Sequence, residues 1–127
     1  MRRFACLLLF VVAACTAPTP SEPQRFIVFF QEWSAAIDPA AATAIGSAAQ
    51  WAKDHPQAVV KVIGYADPTG SPAANESMSR TRAQVVADRL VTNGVDRSRI
   101  GLGAEGATAF IGTSQESRRV TIAIGGP

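Results

Sequence analysis

The sequence predicts an α+β domain in which two helices pack on a sheet that is at least partly parallel. Three observations carry this. Segments with strand and helix character run in the order β-α-β-α-β-β along the chain. Both helices have marked ends. The composition, 47% hydrophobic and 17% charged over 127 residues, suits one folded domain and is too apolar for disorder.

The first strand is RFIVFF (25–30), β-branched and aromatic on both faces, a pattern that predicts burial on both sides. Asp38-Pro39 then opens a helix, with aspartate as cap and proline at the first helical position. Ile45, Ala48, Ala49 and Ala52 form its apolar stripe, and His55-Pro56 stops it. AVVKVIGY (58–65) is the second strand. DPTGSP (67–72) has the chemistry of a turn, and a second helix follows from about Ala74 to Thr92, ended by Asn93-Gly94. RIGLGAEG (99–106) and RRVTIAI (118–124) are the remaining strands.

The N-terminus has a different character. MRR followed by the eleven-residue apolar run FACLLLFVVAA reads as a signal peptide over residues 1–14, too short for the roughly 20 residues that span a bilayer. The run ends in VVAAC, which resembles the lipobox of bacterial lipoproteins and implies acylation of Cys15. The competing reading is an ordinary small-residue cleavage site with an incidental cysteine. Residues 16–24 hold three prolines and form, with Cys15, an extended tether ahead of the domain at 25–127. Nine residues reach about 30 Å at most, so the domain would work close to a membrane. Thr16 follows the cysteine, where many enteric lipoproteins kept in the inner membrane carry aspartate, and this favours the outer membrane. Cys6 falls in the removed segment, so no internal disulfide is expected.

Charge excludes some functions. The chain has 12 Lys+Arg against 10 Asp+Glu, and removing Arg2 and Arg3 leaves 10 against 10. A neutral body with two lysines offers no basic patch for nucleic acid. GLGAEG (101–106) matches G-x-G-x-x-G, but no helical period follows it and the next acid is Glu116, so it reads as a glycine-rich strand. His55 is the single histidine and has no metal-ligand or triad partners at useful spacing. No catalytic group, cofactor or metal is expected.

The second helix carries the chemistry. At 100° per residue, Ser77, Arg80, Thr81, Gln84 and Asp88 face water, while Met78, Val85, Val86 and Leu90 mark the opposite arc. Arg82 falls inside that apolar arc, with Asn75 two turns behind it. A guanidinium there needs a partner. Asp67, at the end of the preceding strand, is the candidate. Either the two form an internal ion pair, or they form a zwitterion receptor in which Asp67 meets an ammonium and Arg82 grips a carboxylate.

Residues 26–124 resemble the OmpA-like peptidoglycan-binding domain, which also forms the body of peptidoglycan-associated lipoproteins. The core pattern G-x-x-D-x-x-G-x(4)-N-x-x-(L)-S-x-x-R-A is met by Gly64, Asp67, Gly70, Asn75, Ser79, Arg82 and Ala83. The resemblance implies a β-α-β-α-β(-β) two-layer sandwich and no enzymatic activity. It also implies binding of the diaminopimelate side chain of the peptidoglycan stem peptide by Asp67 and Arg82. Asn75 would shape the pocket, with Gly70, Thr69, Ser79 and Gln31 in support. Ala66, Met78, Gln31 and Ser117 depart from the family's usual residues. The resulting expectation is an outer-membrane lipoprotein facing the periplasm that ties membrane to wall. The alternative is an envelope module whose main partner is a periplasmic protein of the Tol type.

Overall fold

The computed structural model describes residues 13–15, 22–107 and 117–125. The expected signal peptide up to Val12 and most of the expected tether lie outside the described residues. The elements are β1 (Gln24–Phe29), α1 (Pro39–Asp54), β2 (Val60–Ala66), α2 (Pro72–Thr92), β3 (Ile100–Ala107) and β4 (Arg119–Ile124). They form one four-stranded sheet in the order β1-β4-β2-β3. β2 and β3 are parallel, as a crossover through α2 requires, and β4 runs antiparallel to both β1 and β2. Two helices on a mixed sheet is the architecture the sequence predicts. GLGAEG lies within β3, as a strand.

The core lies between the helices and one face of the sheet. Val28, Val60, Val62, Val120, Ile122 and Ile124 supply the sheet side, and Ile45, Ala48, Ala52, Val86 and Leu90 the helix side. Alanines on α1 let that helix approach closely. Asp38 caps α1 as expected, accepting a 2.7 Å bond from the Ala41 N–H, with Pro39 at the first helical position. α2 begins two residues before the sequence-based boundary. Ser71 caps it through the Ala74 N–H, which makes Pro72 its first residue rather than the end of the turn.

One expectation fails. β1 is an edge strand with one face open: Ile27 is 48% and Phe29 39% exposed. An apolar run on both faces suits a central strand, but here the two helices cover a single face of the sheet and nothing among the described residues covers the other.

α2 packs on β2 without intervening side chains. A Cβ built on Gly64 would sit 2.0 Å from the Ser79 carbonyl oxygen. This backbone contact sets the depth of every α2 side chain one turn further along, Arg82 among them.

Candidate functional site

Four segments meet at the C-terminal end of β2: the loop from β1 to α1, the turn 67–71, the first turns of α2, and Arg118 just ahead of β4. A small cleft there is lined by Glu32, Trp33, Ala66, Asp67, Asn75, Met78, Arg82 and Arg118. The sequence-predicted pair Asp67 and Arg82 share it.

They do not pair with each other. The Asp67 carboxylate, 6% exposed, accepts a bond from Arg118 Nη1 at 3.1 Å and one from Thr69 Oγ1 at 2.5 Å. Burial alone pushes this carboxyl up, but the hydrogen bonds from Thr69 and Arg118 outweigh it and hold the group below the usual carboxylate range. The internal ion pair is therefore Asp67–Arg118. The Asp67–Arg82 pair envisaged from sequence is corrected by this geometry.

Arg82 is 1% exposed and is held by backbone oxygens. Its Nε donates to Ser34 O at 2.8 Å, Nη2 to Gln31 O at 3.0 Å and Nη1 to Tyr65 O at 3.3 Å. The Phe30 ring lies 5.4 Å below its guanidinium carbon. Carbonyls take three of its five N–H donors and do not neutralise the charge. Burial, then the nearby Arg118 cation, lower its pKa, and the more weakly felt Asp67 raises it. An arginine in such a site stays protonated. Among the described residues Arg82 has no ion-pair partner. Two guanidiniums thus face one buried carboxylate, with Glu32 exposed on the rim.

The supporting residues divide. Asn75 is buried and lines the cleft, and Thr69 orients Asp67. Gly70, at φ +87°, lies under the Trp33 indole, where a Cβ would come within 2.8 Å of the ring. Gln31 contributes its carbonyl to Arg82 while the residue itself is exposed. Ser79 does not line the cleft. Its hydroxyl donates to Glu76 O at 2.8 Å and accepts from the Gly106 N–H at 3.1 Å, tying α2 to β3.

Sequence reasoning missed Arg118, Trp33, Glu32 and the cleft-lining role of Met78. Arg118 had a usable signal: it shares strand parity with Val120, Ile122 and Ile124, all inward-facing, so its side chain turns inward too. Its neighbour Ser117 is fully buried, and its hydroxyl has no hydrogen-bond partner among the described residues. Ser117→Ala is therefore expected to leave stability unchanged or raise it by about 1 kcal/mol, read from urea denaturation midpoints.

Comparison with known proteins agrees with this architecture. The OmpA family matches residues 29–121. The chain is 40% identical over 103 residues to the "Probable lipoprotein YiaD" of Escherichia coli, covering 76% of this chain and 47% of that protein. It is 34% identical over 90 residues to the "Peptidoglycan-associated lipoprotein" of Mesorhizobium japonicum, covering 66% of this chain and 54% of that one. The chain thus spans about half the length of these two relatives. Among solved structures, the peptidoglycan-associated lipoprotein of Burkholderia pseudomallei shares the fold, with a TM-score of 0.71 at 21% identity over 78% of this chain and 89% of that one. These matches lie among wall-associated and outer-membrane proteins rather than enzymes. On the matched span, the fold and the residue pattern around the cleft, this chain belongs to the OmpA family.

Proposed function

We propose that the cleft holding Asp67 and Arg82 binds the diaminopimelate side chain of peptidoglycan non-covalently, in a domain anchored to the outer membrane through an acylated Cys15. One observation carries the reading. A fully buried guanidinium without a counter-ion among the described residues shares a cleft with a buried carboxylate held ionised. A zwitterionic carbon complements both. Its carboxylate offers Arg82 the charge that carbonyls cannot, and its ammonium meets Asp67 on the side away from Arg118. The family and the name of the Mesorhizobium relative support a wall ligand. Cys15 is exposed and free, as acylation needs. Affinity per site would be modest, with avidity coming from the membrane anchor and the polymeric wall.

Co-sedimentation with purified diaminopimelate-type sacculi tests this. Wild type is expected to pellet with the wall, and Asp67→Asn to lose at least about tenfold in affinity, the worth of one charge-assisted bond. Binding should be level from neutral pH down through the ordinary carboxylate range and fail only below it. Asp67's folded pKa lies below its unfolded value, so its charge and its stabilising contribution are complete above that value. Both are lost as pH falls through the folded one. Equal binding to lysine-type wall would remove the diaminopimelate assignment. No binding to either wall, with capture of a periplasmic Tol-type protein, would favour the interaction-module reading. Fatty-acid labelling that disappears in Cys15→Ser tests the anchor.

A further inference from the structure

The cleft cannot admit its ligand as it stands. The cavity between the buried charges amounts to about 10 Å³, room for no more than one water. Exposure is graded along it: Arg82 1%, Asp67 6%, then Trp33 at the mouth, 50% exposed. Trp33 has a second unusual property. It adopts φ +51°, the left-handed region, and is the one non-glycine residue to do so among the described residues. A bulky side chain is disfavoured there, and such backbone clusters at ligand clamps.

The loop bearing Trp33 is held closed by the proposed receptor arginine. Arg82 donates to Gln31 O and Ser34 O, on either side of Trp33, and the Ser34 N–H bonds Gln31 O at 3.2 Å to close the turn. The indole meanwhile rests on Gly70, whose missing Cβ makes that seat possible. One N–H on Nη1 and one on Nη2 remain for a ligand, so a carboxylate that takes both engages the same nitrogens that hold Tyr65 O and the loop's Gln31 O.

We infer that Trp33 is the lid and apolar contact of this site: it swings off Gly70 when a carboxylate engages Arg82, then lays its indole on the ligand's hydrocarbon chain. The inference rests on the wall-binding reading and adds a specificity element to it. With the zwitterionic end of a diamino acid buried between Asp67 and Arg82, its methylene chain has to leave past Trp33. A short zwitterion such as alanine lacks that chain and gains nothing from the indole.

The full chain carrying Trp51→Phe makes Trp33 the sole tryptophan, since the chain has two, and red-edge excitation leaves the single tyrosine, Tyr65, dark. Titration with meso-diaminopimelate is expected to shift Trp33 emission saturably, and D-alanine to shift it far less. By amide chemical-shift titration, Trp33→Ala should bind diaminopimelate about tenfold more weakly, the worth of an apolar contact to two or so methylenes. It should bind D-alanine as wild type does, and Trp33→Phe should recover most of the loss. Suppose instead that diaminopimelate binds, Asp67→Asn weakens it, and Trp33→Ala with an unshifted melting temperature does not. The lid is then overturned while the wall-binding reading stands. Absence of diaminopimelate binding in every variant, wild type included, overturns both.

Discussion

Gly64→Ala is expected to be the most damaging single-methyl change in the domain. The added Cβ would lie 2.0 Å from the Ser79 carbonyl oxygen, 2.8 Å from its carbon and 3.3 Å from the Ala83 Cβ. A flexible side chain could turn away, but the first two atoms belong to helix backbone. α2 would have to lift from β2 by more than 1 Å to restore van der Waals contact at about 3.4 Å. Overpacking a core commonly costs 1–3 kcal/mol, and a backbone clash belongs at or beyond the top of that range. We expect a loss of about 3 kcal/mol or more, on the order of 10–20 °C in melting temperature for a domain of this size. Lifting α2 would also stretch the Ser79–Gly106 bond and displace Arg82 one turn along. Wall binding should therefore fail even at temperatures where the variant remains folded by circular dichroism. Unchanged melting would show that the strand–helix contact is looser than the structure has it.

Arg82→Ala is expected to cost stability and binding together. Three buried or partly buried carbonyls, of Gln31, Ser34 and Tyr65, would lose their donor, and a cavity would open over Phe30. Each unmet polar group costs about 1–3 kcal/mol where water cannot replace the donor. Water can reach part of this loop, so we expect about 3 kcal/mol in total, measured by urea denaturation. Arg82→Lys separates charge from geometry. An ammonium keeps the charge but cannot span three carbonyls set around a planar fork. It should lose about half as much stability while binding sacculi as poorly as the alanine variant. Retention of wild-type wall binding in Arg82→Lys would show that a point charge suffices and that bidentate grip of a carboxylate is not the mode of recognition. The double role of Arg82 also makes Asp67→Asn the cleaner probe of binding, because asparagine removes the charge while its side-chain oxygen can still accept from Thr69.

Much of the fold was legible because its signals are local. Caps and stops act within four residues, and Asp38-Pro39 and Asn93-Gly94 sit at the observed helix ends. Parity along β4 and helical phase along α2 sort buried from exposed positions, and that phase singled out Arg82 rather than the exposed, Glu76-paired Arg80. The start of α2 was misplaced because a Ser-Pro pair suits a turn's end and a helix's first turn equally well.

The sequence by itself determined the α+β order of elements, the helix limits to within two residues, and an acid and a base that converge on one cleft. Tertiary structure alone decided what those charges touch. Arg118 reaches Asp67 across 51 residues of chain, and Arg82 reaches Gln31 and Ser34 across 51 and 48. Arg99 likewise closes the end of α1 by bonding the carbonyls of Ala52, His55 and Ala58. Parity and helical phase can turn such side chains inward, but their partners leave no periodic trace, because a long guanidinium finds whichever carbonyls or carboxylate the packed backbone brings within reach. The exposure of β1 was hidden for the same reason. Whether an apolar strand is covered on one face or two depends on where the helices pack, and that is set by the chain as a whole.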